Sequence, residues 1–313
     1  MYFDILLQTF NITLPVMALV LLGVVLRRRG MIDDTFIAMA SRLVFTLSLP
    51  VLMFMAIVTA DLQVSDHLPL VGFSLVAAIG AWLVSWLVSV LAKTPKSKQG
   101  ALIQAAFRSN LGIIGLALCI NADLDSGPVI GALILAVVTP VYNRLSVWVL
   151  ASGQGNLNWR AQVWGVISNP LIIAIASAAV VRMLGIELPV VAHTAGSALA
   201  GMTLPLALIG IGGSLSLGGV TGFDRHVWLA VALKLIVLPA LIIVAAILSG
   251  FSGPSLLMLA IMFASPTAAA AFVMATAIGA DGRLTANAIA LSTLASAVSV
   301  TSIIYVLNLG GLV

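Results

Sequence analysis

Charge is what this chain has least of. Only 8% of its 313 residues are Asp, Glu, Lys or Arg, where an ordinary soluble domain carries about 25%. With 62% of residues hydrophobic, a soluble globular fold is excluded and an integral membrane protein is implied. Cys119 is the single cysteine; it excludes an intramolecular disulfide and a cysteine metal cluster, and reads as a small buried apolar residue. No Asp or Glu falls inside the long apolar runs, and His67, His193 and His226 map to their ends. A side-chain proton relay is therefore not expected, with interfacial His193 the one candidate left. The chain also lacks a carboxylate pair at depth, an HExxH motif and a buried histidine pair, so an enzyme is not expected. It lacks a Walker loop, so ATP is not the energy source, and no cofactor is expected. The opening MYFDILLQTF has no positive segment, which predicts a retained first span rather than a cleaved signal peptide.

What the chain has instead is a series of apolar runs, each near the roughly 20 residues that a bilayer core requires. Ten spans are predicted, at roughly 5–26, 35–59, 69–92, 98–120, 128–151, 161–184, 189–213, 227–249, 254–279 and 283–307. The runs are continuous, which favours helices over the alternating strands of a barrel. The net charge of +4 marks orientation rather than nucleic-acid binding. Arg27, Arg28, Arg29, Lys93, Lys96, Lys98, Arg160, Arg225 and Arg283 fall on one side of a ten-span chain, the side expected to be cytoplasmic. Asp61, Asp66, Asp123, Asp125 and Glu187 fall opposite, and both termini are predicted outside.

The two halves match. At an offset of 155 residues Pro15 aligns with Pro170, Arg27 with Arg182, Gly30 with Gly185, and Leu49-Pro50 with Leu204-Pro205; at 156, Phe107 meets Phe263, Ser109 meets Ser265 and Asn110 meets Pro266. Five spans per copy is an odd number, so the copies, 1–152 and 153–313, must be inverted. The junction is predicted in SGQGNLNW, residues 152–159. Inverted repeats with interrupted helices are the sequence sign of a secondary transporter that binds its substrate at mid-membrane.

The most informative segment is FRSNLGIIGLAL, residues 107–118. Arg108 lies ten residues inside span four from Lys98, or about 15 Å. An arginine at that depth costs on the order of 3 kcal/mol and normally faces a cavity or a partner; a site role and a structural pairing with backbone carbonyls are both open. Asn110, Gly112 and Gly115 suit a local unwinding, with a second half-helix starting near Gly112. In FASPTAAAAFV of span nine, Ser265 suits an N-cap and Pro266 the first helical position, with Thr267 behind it. Two half-helix N-termini and Arg108 would attract an anion, whereas the carbonyl ends of the first halves would suit a cation such as Na⁺. Arg42, Arg144 and Lys234 lie near enough to helix ends to snorkel. Asn143, beside Pro140, is a candidate for the same cavity; for Pro50 and Pro205, bending spans two and seven around a substrate and kinks with no ligand role are both open.

These motifs resemble the auxin efflux carrier family of membrane transporters, which includes bacterial organic-acid carriers and is related to plant PIN exporters. The likeness rests on LPVMALVLLGVVLRRRGMID, RLVFTLSLPVLMF, RSNLGIIGLAL and TPVYNRLSVWVL in the first half. The second half adds SNPLIIAI, MTLPLALIGIGGSL, ALKLIVLP and SPTAAAAFVMA. The resemblance implies an all-α integral membrane fold of ten helices in two inverted five-helix repeats, with helices four and nine broken and crossing. It implies a scaffold of helices one, two, six and seven, and an elevator-like transport unit of the other six. Asn110 matches the family's crossover asparagine and Pro266 the proline of the second break. Where family members often carry an asparagine soon after that proline, this chain reads Thr267-Ala268-Ala269-Ala270. The expected substrate site is then Arg108, Ser109, Asn110, Leu111, Gly112, Asn143, Ser265, Pro266, Thr267, Pro50 and Pro205. The expected activity is secondary transport of a small organic anion such as malate, malonate or an auxin-like acid, by efflux across a bacterial cytoplasmic membrane. A sodium-coupled importer of the bile-acid symporter type is the alternative, although it would want an acidic ligand that this chain lacks at depth. A membrane sensor is a third. The expected partners are the anion and the lipid bilayer, with a homodimer compatible and no nucleic acid.

Overall fold

The computed structural model describes residues 2–59, 67–122, 127–151, 169–215 and 224–313. Among them, seven helices are long and apolar enough to cross a membrane. These are α1 (Tyr2–Arg28), α2 (Asp34–Val58), α3 (Leu68–Leu91), α5 (Gly127–Ala151), α7 (Val190–Ser214), α8 (Arg225–Leu248) and α10 (Gly282–Leu309). Three apolar stretches are shorter: α4b (Leu111–Asn121), α6 (Pro170–Met183) and α9a (Gly253–Ala264). Two further helices, α4a (Lys96–Phe107) and α9b (Ala270–Ile278), complete the fourth and ninth stretches. The fourth and ninth stretches are thus both interrupted. The expected junction at residues 152–159 and the start of the sixth span lie outside the described residues.

Local chemistry accounts for the helix ends. Asp33, Asn169 and Asp281 each accept a hydrogen bond from a main-chain N–H in the first turn of the helix that follows, satisfying donors that a helix start leaves open. Gly30 and Gly185, matched in sequence, adopt left-handed φ of 69° and 62°. Gly30 N–H donates to the Arg27 carbonyl and Gly185 N–H to the Arg182 carbonyl, both at 3.1 Å. The same turn therefore ends α1 and α6, and only a glycine adopts its φ without steric cost.

Proline shapes two helices from inside. The N–H of Leu49 reaches back five residues to Val44, and that of Leu238 does the same to Leu233. Each leucine precedes a proline, Pro50 or Pro239, which has no N–H and whose ring crowds the preceding turn. The outcome is a wide π turn at Val44–Ser48 and another at Leu233–Val237. Wide turns of this kind recur at functional sites. Leu49-Pro50 and Leu238-Pro239 thus share one wide-turn geometry.

Packing divides the helices. α1 packs most extensively on α7, and α2 packs on both α6 and α7. The α1–α7 contact is backbone against backbone: a Cβ at Gly23 would stand 2.2 Å from the Ile209 carbonyl oxygen, and one at Gly212 1.9 Å from that of Val20. Small residues that let helices approach this closely are a membrane-helix packing device. At the centre, residues 101–107 of α4a and 256–264 of α9a are buried without exception. A helix buried on every side is expected at the heart of a bundle.

Candidate functional site

The two interruptions meet. Ser109 and Thr267 form an isolated antiparallel bridge, in which Asn110 N–H donates to the Pro266 carbonyl at 2.8 Å and Ala268 N–H donates to the Arg108 carbonyl at 3.0 Å. Each bond maps onto the other when Arg108 exchanges with Pro266, and Asn110 with Ala268. The crossing is therefore two-fold about the Ser109–Thr267 pair, two residues beyond the register in which the sequence aligned Asn110 with Pro266.

This pairing corrects the expected second break. Ser265 does not cap a new helix; it closes α9a in an extended conformation (φ −58°, ψ 147°), and its Oγ donates back to the Met262 carbonyl at 2.7 Å. Pro266 is not a first helical residue either, because its carbonyl is spent on Asn110, and α9b starts at Ala270. Across the crossing, the half-helix after the first break starts at Leu111, in a π turn that runs to Gly115. Asn110 precedes it, but its side chain caps nothing. Among the described residues that amide has no protein partner, although the residue is only 6% exposed.

Carbonyls freed at the broken ends are taken up by side chains. Thr267 Oγ1 donates to Ala105 O of α4a at 2.7 Å. Thr267 N–H, which a continuous helix would aim at Phe263 O, donates instead to Ser292 Oγ at 3.1 Å. Phe263 O receives Lys234 Nζ at 2.9 Å and Ser109 Oγ at 3.2 Å. Lys234 Nζ also donates to Ser109 Oγ.

Lys234 is the residue that sequence reasoning missed. It was expected to snorkel, yet it is 1% exposed and its ammonium sits behind the crossing. The missed signal is its depth: Lys234 lies nine residues past Arg225, nearly as far inside its span as Arg108 lies from Lys98. Arg42 and Arg144 are exposed, as snorkelling requires. Arg108 is buried and turns toward α5, where Nη2 donates to Asn143 Oδ1 at 2.6 Å and Nη1 to Ser146 Oγ at 3.0 Å. Its Nε has no partner among the described residues. The Phe107 ring meets that of Tyr142 edge-on at 5.5 Å, which fixes α5 against the break.

In front of the crossing lies a small cavity of about 70 Å³. Arg108, Ser109, Asn110, Leu111 and Gly112 line it, together with Ala268 and Ala269 at the opposite break. Phe45 and Leu49 of the α2 bend close one wall. A second cavity of about 330 Å³ adjoins it, sharing Phe45, Ile113 and Ala269, and runs past Ser41, Ser214 and Ala286 toward the end that carries Arg42 and Arg283. Asn143, Ser265, Pro266 and Thr267 do not line this cavity; Asn143 holds the Arg108 guanidinium, and Pro266 and Thr267 tie the two breaks together. Pro50 is buried beside Leu49 and shapes the wall through its π turn. Pro205 is exposed on the outer face of α7 and does not reach the site.

A crossing of two interrupted membrane helices beside a largely apolar cavity, into which Arg108, Ser109 and Asn110 bring the polar groups of the first break, is a carrier's architecture. The model of the membrane transport protein family matches residues 9–122 and 159–304, most of the chain. The chain belongs to the auxin efflux carrier family. No curated protein matches it. As a membrane transporter of that family it is multi-pass, with the bilayer around its apolar helices and a small-molecule substrate. Both breaks fall inside the matched ranges.

Proposed function

We propose that this carrier moves a small organic anion, a carboxylate such as malate, malonate or an auxin-like acid, across a bacterial cytoplasmic membrane. One observation carries the reading. Arg108 and Lys234 are buried at the crossing, and their hydrogen-bond partners are neutral oxygens: Asn143, Ser146, Ser109 and the Phe263 carbonyl. Every described carboxylate lies at a helix end or in a loop. Two desolvated cations with no counter-ion among the described residues leave a net positive field, and a carboxylate in the adjoining cavity would neutralise it. The starts of α4b and α9b border the same cavity and add unpaired N–H donors. The Asn110 amide, without a protein partner among the described residues, would fix the orientation of a carboxylate. Among the described residues the sodium-coupled alternative lacks the acidic ligand it would want there.

In this reading the ten helices form two inverted repeats that meet at the crossing, an arrangement supported by the matching turns at Gly30 and Gly185. Helices α1, α2, α6 and α7 are the scaffold and α3–α5 and α8–α10 the moving unit, consistent with the α1–α7 and α2–α6 packing. Elevator motion of that unit would carry the crossing past Phe45 and Leu49. Both termini lie outside. The second cavity opens on the basic, cytoplasmic side, from which an anion would enter for export. An inside-negative potential favours that direction by about 2.3 kcal/mol per charge per 100 mV.

The test is flux of labelled malonate from proteoliposomes. Efflux should quicken when the interior is made negative, and Asn110→Ala should abolish it while keeping a folded, monodisperse protein. Flux in that variant equal to wild type would remove the site assignment.

A further inference from the structure

The carbonyl end of α9a is where a broken-helix carrier would hold a free cation: its last carbonyls lack main-chain partners, and the helix dipole puts partial negative charge there. Here that place is taken. We propose that the Lys234 ammonium is a built-in cation, covalently tethered where a free monovalent cation would otherwise bind, so that the carrier runs without Na⁺. The inference rests on the crossing being the substrate site.

Three features converge on it. Lys234 Nζ donates to the Phe263 carbonyl, left open because Thr267 N–H goes to Ser292. It also donates to Ser109 Oγ, which itself reaches Phe263 O, so one ammonium ties α8, the first break and the end of α9a together. Finally, the described residues include no group of three or more His, Cys, Asp or Glu side chains, so no acidic shell competes with the ammonium for a metal ion. A hard cation such as Na⁺ or Ca²⁺ wants several oxygen ligands, whereas an ammonium is served by a few acceptors in hydrogen-bond geometry. The consequence is mechanistic. A tethered charge supports the crossing in every step of the cycle, cannot be released, and so cannot draw energy from an ion gradient.

Thermal unfolding of the purified carrier in detergent tests this without any substrate, in sodium chloride, ethylammonium chloride and choline chloride at equal ionic strength. Wild type should unfold at the same temperature in all three. Lys234→Ala should unfold several degrees lower in choline and recover in sodium or ethylammonium, because a small free cation enters the vacated place. Lys234→Met keeps the volume of the stem without its charge and should be destabilised in all three salts; it carries the test if the alanine variant does not fold. A wild-type midpoint that rises in sodium over choline, or a Lys234→Met midpoint equal to wild type, overturns the proposal. An absence of malonate flux in wild type would instead count against the anion reading and leave these midpoints to be read on their own.

Discussion

Asn110 and Pro266 are joined through their main chains, N–H to carbonyl at 2.8 Å, and this bond holds the two broken helices at one point while leaving the Asn110 side chain unspent. An amide with no bond among the described residues contributes little to their stability. Asn110→Ala is therefore expected to unfold within about 0.5 kcal/mol of wild type, as substitutions away from a stabilising contact do, while labelled-malonate flux falls at least tenfold. Strong destabilisation, read by thermal unfolding, would mean that the amide has a structural partner.

Asn143 separates charge from structure at Arg108. Asn143→Ala leaves the guanidinium with Ser146 alone and should cost about 1–3 kcal/mol. Asn143→Asp offers Arg108 a carboxylate in the same place, so the protein should unfold no lower than wild type while anion flux is lost to the internal counter-ion. Flux retained in Asn143→Asp would contradict an electrostatic role for Arg108.

The α1–α7 contact has no room for a side chain. Gly212→Val would drive a Cβ into the Val20 carbonyl and should destabilise the scaffold by about 3 kcal/mol or more. It should also lower the yield of monodisperse protein in size-exclusion chromatography. Gly80→Ala is the control: nothing lies within 4 Å of the added Cβ, and the helix should gain rather than lose stability.

At the basic end, the Lys98 ammonium and then the His226 ring hold the Asp224 carboxyl well below the usual carboxylate range. A depressed folded value means that the stabilisation is fully present above the ordinary carboxylate pKa, about 3.9, and is lost only as pH falls through the lower folded value. Between pH 8 and pH 5 the Asp224 carboxyl itself should contribute no pH dependence to unfolding. Asp224→Ala should cost about 1 kcal/mol, mainly as a lost helix cap, since a half-exposed ion pair adds little.

The spans were legible in the sequence because an apolar run has few other uses, and the helix ends fall within a few residues of those expected, the described part of α6 excepted. The break at Arg108–Asn110 was legible too, since a buried arginine beside an asparagine and a glycine has no place in a plain apolar helix. Pro266 was misread because the rule applied to it is local. Proline suits a first helical turn, but here its carbonyl is drawn to a strand-like partner in the other half of the chain. The antiparallel bridge, the wide turns and the Lys234 contacts depend on which segments meet, and no single-window pattern carries that. Lys234 could have been flagged by depth alone, as Arg108 was.

The most direct test of an anion held at the crossing compares malonate with malonamide, its uncharged analogue of similar shape, in thermal unfolding of the purified carrier. A ligand that binds only the folded state raises the midpoint with concentration. The account predicts that malonate raises the midpoint of wild type, that malonamide does not, and that neither shifts Asn110→Ala. An equal shift by the two compounds, or a malonate shift undiminished in Asn110→Ala, would contradict it.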